Sequence, residues 1–382
     1  MKSVSIITTG LGLFAMFFGA GNVVFPLYVG LVAGDQLWLA MGGLLLTAVA
    51  LPLLSLFAMV QFRGQQDQYF QRVGTWGGRA LLLVCLFLLG PFLVVPRTIT
   101  VAHAAINETL FPLSPTLFGV LYCAIVLLLA FNARTMLQVI SKVFTPLMLG
   151  LLAALFIAGL MHPAEPMPGS LTSPAFLFGL KEGYFTLDAV AALIFGQFVY
   201  VQLRQQQSKL PHAAYQRHVI LAALLAGFLL SAVYLAMALS IWLHGTPAML
   251  GPDQKQALLI LVTQQILPAS WSGLAGLIIA AACLTTATAL SKIFADYLHH
   301  YARHKHWPLS ETSCLLISLV IALGMSLIGF DGLMNVFIPV ILSVYPVFIL
   351  LAVHAFVRTL IPAKFLPALA LVALGLGIAT LF

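Results

Sequence analysis

Of the 382 residues, 62% are apolar and only 7% are Asp, Glu, Lys or Arg, against about 25% charged residues in a soluble domain. Such a surface excludes a chain bathed in water over most of its area, and continuous apolar runs exclude an outer-membrane barrel, whose strands alternate with period two. The net charge of +7 comes from Lys and Arg scattered singly between apolar runs, the wrong distribution for a nucleic-acid face.

Membrane spans are predicted near 5–28, 36–60, 80–104, 116–131, 136–161, 174–201, 217–243, 262–296, 310–329, 333–357 and 364–382, about 11 transmembrane helices in one all-α membrane domain. The first follows Met1-Lys2 but runs on through Val23-Val24-Phe25-Pro26 and is read as an uncleaved span. Connections are short and carry turn residues, as between Gly30 and Gln36, Gly64 and Gly78, Pro163 and Pro174, and Gly251 and Lys255. Lys2, Arg63, Arg72, Arg79, Arg134, Lys142, Arg204, Lys209, Arg217, Arg303, Lys305, Arg358 and Lys364 fall on one side, and only Lys181 and Lys255 on the other. Arg97 and Lys292 lie within spans. The side rich in Lys and Arg is expected to be cytoplasmic, which puts the amino terminus inside and the carboxyl end outside.

Span 1 carries Phe17-Phe18-Gly19-Ala20-Gly21-Asn22-Val23-Val24-Phe25-Pro26. Two glycines, an Asn and a Pro at bilayer depth disfavour a plain helix. The open readings are broken backbone lining a cavity and a small-residue packing face. Span 3 contains Gly90-Pro91 and then Pro96-Arg97-Thr98. Three roles stand open for Arg97: pairing with a buried carboxylate, meeting a substrate carboxylate, or snorkelling to the interface.

Span 6 reads Gly183-Tyr184-Phe185-Thr186-Leu187-Asp188, with Asp188 taken as the one acid well inside the apolar helix. A carboxylate there marks a functional site or a structural ion pair. Spans 1 and 6 enter from opposite sides, as a five-plus-five inverted repeat with two broken helices requires. Repeat one is placed at about 5–161, repeat two at about 174–357 and an extra helix at about 364–382. No convincing residue-by-residue identity between the halves is read. Span 8 carries Cys283-Leu284-Thr285-Thr286-Ala287-Thr288-Ala289-Leu290-Ser291. Its hydroxyls either bond back to their own helix or supply neutral oxygens to a hard cation such as sodium. Cys85, Cys123, Cys283 and Cys314 lack metal-ligand spacing and are expected to be buried thiols.

The segments Phe18 to Pro26, Gly90-Pro91 with Pro96-Arg97-Thr98, Gly183 to Asp188 and Ala282-Cys283-Leu284-Thr285-Thr286-Ala287 together resemble the bacterial branched-chain amino-acid:cation symporter family. That family belongs to the amino-acid/polyamine/organocation group. The resemblance implies the LeuT-like inverted-repeat fold and sodium-coupled uptake of leucine, isoleucine and valine across the inner membrane. Two departures stand out: Ala104, after His103, occupies the place of the family's acid downstream of the span 3 Arg, and the family's usual twelfth span is not seen. Transport is expected not to need that helix.

On this reading Gly19, Ala20, Gly21 and Asn22 are substrate-binding, with free N–H groups of the Gly21-Asn22 region taking the amino acid's carboxylate. Carbonyls from Thr186 to Ala189, with the Asp188 carboxylate, take its ammonium, while Tyr184 and Phe185 wall its side chain. Sodium, with no other cofactor, is expected between the Thr285 and Thr286 hydroxyls and carbonyls of the Phe17–Phe18 region. Proton coupling is the alternative, as is another neutral amino acid. A channel is the rival separated by concentrative, saturable uptake. A membrane enzyme lacks any nucleophile or metal motif here. No nucleic acid and no obligate protein partner is expected beside substrate, cation and lipid.

Overall fold

The computed structural model describes residues 6–131, 145–161, 168–206, 212–251, 254–357 and 362–379. Lys2, Arg134, Lys142, Lys209 and Arg358, on which part of the charge asymmetry rests, lie outside the described residues. So do the start of the fifth predicted span and the end of the eleventh. Among the described residues every regular element is helical. Exposed side chains such as Leu128, Phe228, Val320 and Leu371 are themselves apolar. Lipid, and not water, suits such a surface.

Span 1 is two helices, α1 (Ile6–Phe17) and α2 (Ala20–Ala33), parted at Phe18-Gly19. The second span is α3 (Leu37–Leu45) and α4 (Leu51–Gln61), joined by a wide turn over Leu46–Ala50. A short helix, α5 (Gln66–Phe70), leads to span 3, which is α6 (Thr75–Phe87) and α7 (Val94–Thr109). Between these two, Gly90 leaves helical geometry (φ −88°, ψ −119°) just before Pro91. Then follow α8 (Pro115–Ala130) and α9 (Thr145–Met161).

Span 6 is again two helices, α10 (Ala175–Tyr184) and α11 (Asp188–Gln206). After α12 (His212–His244) the structure departs from the predicted eighth span. Residues 262–296 are not one helix: α13 (Leu258–Ile266) stops, and α14 (Ala269–His304) starts anew. Pro268 is the cause, since the residue before a proline is pushed out of helical geometry, and Leu267 is extended (φ −110°, ψ 153°). The chain closes with α15 (Glu311–Ser326), α16 (Gly329–His354) and α17 (Leu366–Ala379), which packs on α16.

Helices α3 and α10 touch backbone to backbone. A Cβ on Gly43 would strike the Phe176 carbonyl, one on Gly179 the Ala40 carbonyl, and one on Gly183 the Thr47 hydroxyl. Small residues allow this approach where lipid supplies no hydrophobic drive. Thr47 uses it to donate to the Leu180 carbonyl at 3.0 Å. The first half of span 6 is thus anchored to span 2 up to the edge of its break.

Two joints far apart in the chain match at residue level, which the sequence reading missed. Phe111-Pro112-Leu113-Ser114 precedes α8, and Trp307-Pro308-Leu309-Ser310 precedes α15. In the first, His103 Nε2 donates to the Leu113 carbonyl at 2.8 Å, and Ser114 accepts from Leu117 N–H. In the second, His299 Nδ1 donates to the Leu309 carbonyl at 2.9 Å, and Ser310 accepts from Ser313 N–H. Both joints tie a long helix to the capped start of the next.

Candidate substrate and cation site

The buried Asp, Glu, Lys and Arg side chains among the described residues are Arg97, Glu182 and Asp188. All three border the breaks. Charge is costly at bilayer depth, so their gathering there locates the site before any ligand is considered.

In span 1 the break is built by its own residues. Gly19 is extended (φ −125°, ψ −164°), and the Asn22 side chain reaches back to accept from Gly19 N–H at 3.0 Å. Among the described residues no hydrogen bond falls on the N–H groups of Ala20 and Gly21. They are the open donors of a helix start, where an anion is favoured. The Phe17 and Phe18 carbonyls at the end of α1 likewise lack backbone donors and form its negative end. The rings of these two residues pack away, Phe17 against Phe195 and Phe18 on Phe14.

Asn22 also joins the two breaks. Its Nδ2 donates to Asp188 Oδ2 and to the Tyr234 hydroxyl, and Tyr234 donates to the same Oδ2 at 3.2 Å. Both of these bonds to Asp188 fall on Oδ2, and the Thr186 side chain also approaches the carboxylate. Asp188 is the first residue of α11, so the helix dipole stabilises its charge. The break before it runs from Phe185 to Leu187, with Leu187 at φ 63°. Thr186 folds its hydroxyl back onto the Gly183 carbonyl at 2.9 Å.

Arg97 is 1% exposed, which rules out snorkelling. No ion pair within 4.0 Å joins it to Asp188 either. Its Nη1 donates to the Phe185 carbonyl at 2.6 Å and its Nη2 to the Thr186 carbonyl at 3.2 Å, while Nε has no partner among the described residues. The guanidinium lies over the Phe25 ring at 5.5 Å. This corrects one expectation: the Thr186 carbonyl, assigned to the ammonium, is already taken by a cation of the protein. Gly21 makes the arrangement possible, because a Cβ there would sit 2.6 Å from Arg97 Nη2 and 3.2 Å from Thr186 Cα.

The aromatic walls are wider than expected. Phe185 meets Phe25 at 5.9 Å, Phe25 meets Phe330 at 6.4 Å, and half-buried Tyr184 lies tilted against Tyr345 at 4.6 Å. Of the proposed cation ligands, Thr286 lies against the span 1 break, since a Cβ on Gly19 would be 3.0 Å from its Oγ1. Thr285 and Thr286 both donate to the Ala282 carbonyl, at 2.6 and 3.4 Å. The self-bonding reading therefore holds for their protons and leaves their lone pairs as acceptors. The four cysteines are buried free thiols. Lys292 of span 8 pairs with Asp296 at 2.9 Å and with Glu311, away from the site.

Tyr234, Tyr345 and Phe25 were not singled out from the sequence, and nothing in their local pattern distinguishes them. Glu182 was overlooked although it lies six positions before Asp188. Span 6 thus holds a second buried acid, correcting the reading of Asp188 as its only one.

Two broken helices around buried polar groups, in an all-helical membrane chain, define a class: chains of the LeuT fold. Solved structures agree. The inward-facing conformation of Mhp1 superposes with a TM-score of 0.64 at 16% identity, covering 99% of this chain and 90% of that one. Mhp1, a nucleobase-cation-symport-1 family transporter, in a closed conformation with bromovinylhydantoin gives 0.60 at 15% identity, covering 100% and 92%.

The particular family follows from sequence. The family described as "Branched-chain amino acid transport protein" matches residues 2–381, and this chain belongs to it. The branched-chain amino acid permease BrnQ of Salmonella typhimurium is 32% identical over 370 residues, covering 94% of this chain and 82% of the relative. That of Bacillus subtilis is 32% identical over 375 residues with the same coverage. The branched-chain amino acid transport system 3 carrier protein of Pseudomonas aeruginosa is 31% identical over 363 residues, covering 93% and 81%.

Proposed function

We propose that this chain imports leucine, isoleucine and valine by alternating access, driven by a sodium gradient across the bacterial inner membrane. One observation carries the site assignment: α2 begins with unfilled N–H groups at Ala20 and Gly21, and Gly21 lies against a buried guanidinium with an unsatisfied Nε. A substrate carboxylate satisfies both, since buried donors without partners are costly and carboxylate–guanidinium bonds are strong. The ammonium goes to the Asp188 carboxylate, with the span 6 carbonyls open to it only where Arg97 moves to the substrate carboxylate. Phe25, Phe185, Tyr184 and Tyr345 wall the aliphatic chain. An apolar wall separates substrates differing by one methylene by only about 1–3 kcal/mol, so all three branched chains are carried.

Sodium is assigned to Thr286, Thr285 and the carbonyls of Phe17 and Phe18, an arrangement supported by the contact of Thr286 with Gly19. The repeats are assigned to about 5–161 and 174–357, with residues 364–382 as an addition. The matched joints at Ser114 and Ser310 favour that division. The amino terminus is assigned to the cytoplasm from the Lys and Arg distribution. An extracytoplasmic reporter is expected to be active after Phe382 and silent after Gln206.

Uptake of radiolabelled leucine into proteoliposomes with the cation gradient varied is the decisive test. Concentrative, sodium-dependent uptake is expected. Uptake independent of sodium removes the threonine assignment and moves coupling to the hydrogen-bonded Asp188, with protons as the driving ion.

A further inference from the structure

The two matched joints differ in what they display. Each ties a long helix to the next through a histidine on a leucine carbonyl and a serine cap. With His103 aligned on His299, the residues from Ala104 to Phe111 align on those from His300 to Trp307. The first joint carries a single charged residue there, Glu108. The second carries Arg303 and Lys305, with imidazoles at His300, His304 and His306, and each of these side chains is exposed. The first joint closes without such groups, so the joint itself does not require them. Lys and Arg at this place also help to set the orientation of the chain, but histidine has no part in that bias.

The backbone holds this cluster as a fixed corner at the end of α14. His306 takes a left-handed φ of 56°, and Trp307 N–H donates back to the Ala302 carbonyl at 2.9 Å. Lys305 N–H reaches the Tyr301 and Ala302 carbonyls, both at 3.1 Å. The Tyr301 and Trp307 rings then meet edge to face at 6.0 Å and are 44% and 52% exposed. An exposed aromatic pair at the end of a span belongs at the level of the lipid headgroups. The nearest acids along the chain, Asp296 and Glu311, are both engaged by Lys292.

Two basic side chains with imidazole donors beside them, on a fixed corner at headgroup level, are complementary to the phosphodiester of an anionic lipid. We propose that residues 300–307 form a binding surface for an anionic phospholipid. Arg303 and Lys305 take its phosphate, the imidazole N–H groups of His304 and His306 add donors, and Tyr301 and Trp307 lie along its glycerol and upper acyl chains. The surface stands apart from the breaks and does not depend on which substrate the chain carries.

Quenching of Trp307 by brominated lipid tests this with the full-length protein in vesicles of phosphatidylcholine and phosphatidylglycerol. The Trp307 signal is the emission lost in Trp307→Phe. Brominated phosphatidylglycerol is expected to quench it at a lower mole fraction than brominated phosphatidylcholine, by about fivefold for each basic residue engaged. Arg303→Gln combined with Lys305→Gln is expected to abolish that preference and to leave leucine uptake intact, which checks that the variant is folded. Phe111→Trp in the Trp307→Phe background moves the reporter to the matched joint, where no preference is expected. Equal quenching by the two lipids in the parent protein overturns the proposal, whether or not the double variant folds. A preference that survives the double variant, or is equal in the Phe111→Trp reporter, also overturns it, since bilayer charge alone then accounts for it. Loss of the preference on adding inorganic phosphate overturns it too, because the corner then holds a free anion and no lipid.

Discussion

The two breaks at the centre of the molecule are opened by different means. Span 1 opens itself: Gly19 takes extended geometry, Asn22 caps it from three residues on, and Pro26 withholds the N–H that the Asn22 carbonyl would accept. Span 6 has no glycine or proline between Phe185 and Asp188. Leu187 adopts a left-handed φ of 63°, at about 1–2 kcal/mol, and Arg97 of span 3 holds the freed carbonyls. A break written into adjacent residues survives changes elsewhere. One imposed by a distant partner fails with that partner.

The sharpest attack on this contrast is Gly21→Val, where the two breaks meet. The added side chain displaces the Arg97 guanidinium and closes the space offered to the carboxylate. Leucine uptake is expected to fall to background at unchanged membrane abundance, and near-normal uptake would show that this close approach is not needed. Next comes Arg97→Gln, which strips a buried cation from two carbonyls and is expected to destabilise by about 2–6 kcal/mol, roughly 1–3 for each buried acceptor left unsatisfied. Asn22→Ala loses a cap worth about 1 kcal/mol together with its bond to Asp188. Thermal melting in detergent should therefore rank Arg97→Gln below Asn22→Ala, and the reverse order would invert the comparison. Arg97→Gln should also erase discrimination between leucine and leucinamide as competitors for binding.

Asp188→Asn leaves the span 6 geometry in place but neutralises the group facing the ammonium. Uptake is expected to drop at least about tenfold, the value of one charge-assisted contact; unchanged affinity and cation dependence would make Asp188 structural. Thr286→Ala should raise the sodium concentration for half-maximal uptake several-fold, with Thr286→Ser nearly silent because the oxygen stays. The smallest effect is expected at Leu187→Gly. Relief of the left-handed strain offsets most of the about 1.5–3 kcal/mol from a buried leucine side chain, so melting should fall by only about 1 kcal/mol in stability while uptake persists.

How much of the site was legible follows the same division. Gly19, Gly21 and Asn22 stand out because glycine and asparagine are out of place at bilayer depth, and Asp188 because a carboxylate is. Their partners do not stand out. Tyr234 joins Asn22 across 212 positions and Arg97 reaches Phe185 across 88; a tyrosine in an apolar helix or an arginine in a span reads the same whatever it touches. The repeated Phe/Trp-Pro-Leu-Ser joints were present in the sequence and went unread, since their meaning emerges only once each histidine is seen bonding the leucine carbonyl of its own joint.

By itself the sequence determined the all-helical membrane class, the places where spans 1, 3 and 6 cease to be regular, and the family. These follow from hydropathy, from backbone chemistry carried by single residues and from short motifs. The tertiary structure decided what fills the breaks: Arg97 on the span 6 carbonyls, the Asn22–Asp188–Tyr234 cluster, and Thr286 against Gly19. A buried polar group must be satisfied by whatever lies beside it in space, and in a bundle of packed helices that neighbour is set by the approach of other spans, which local sequence does not encode.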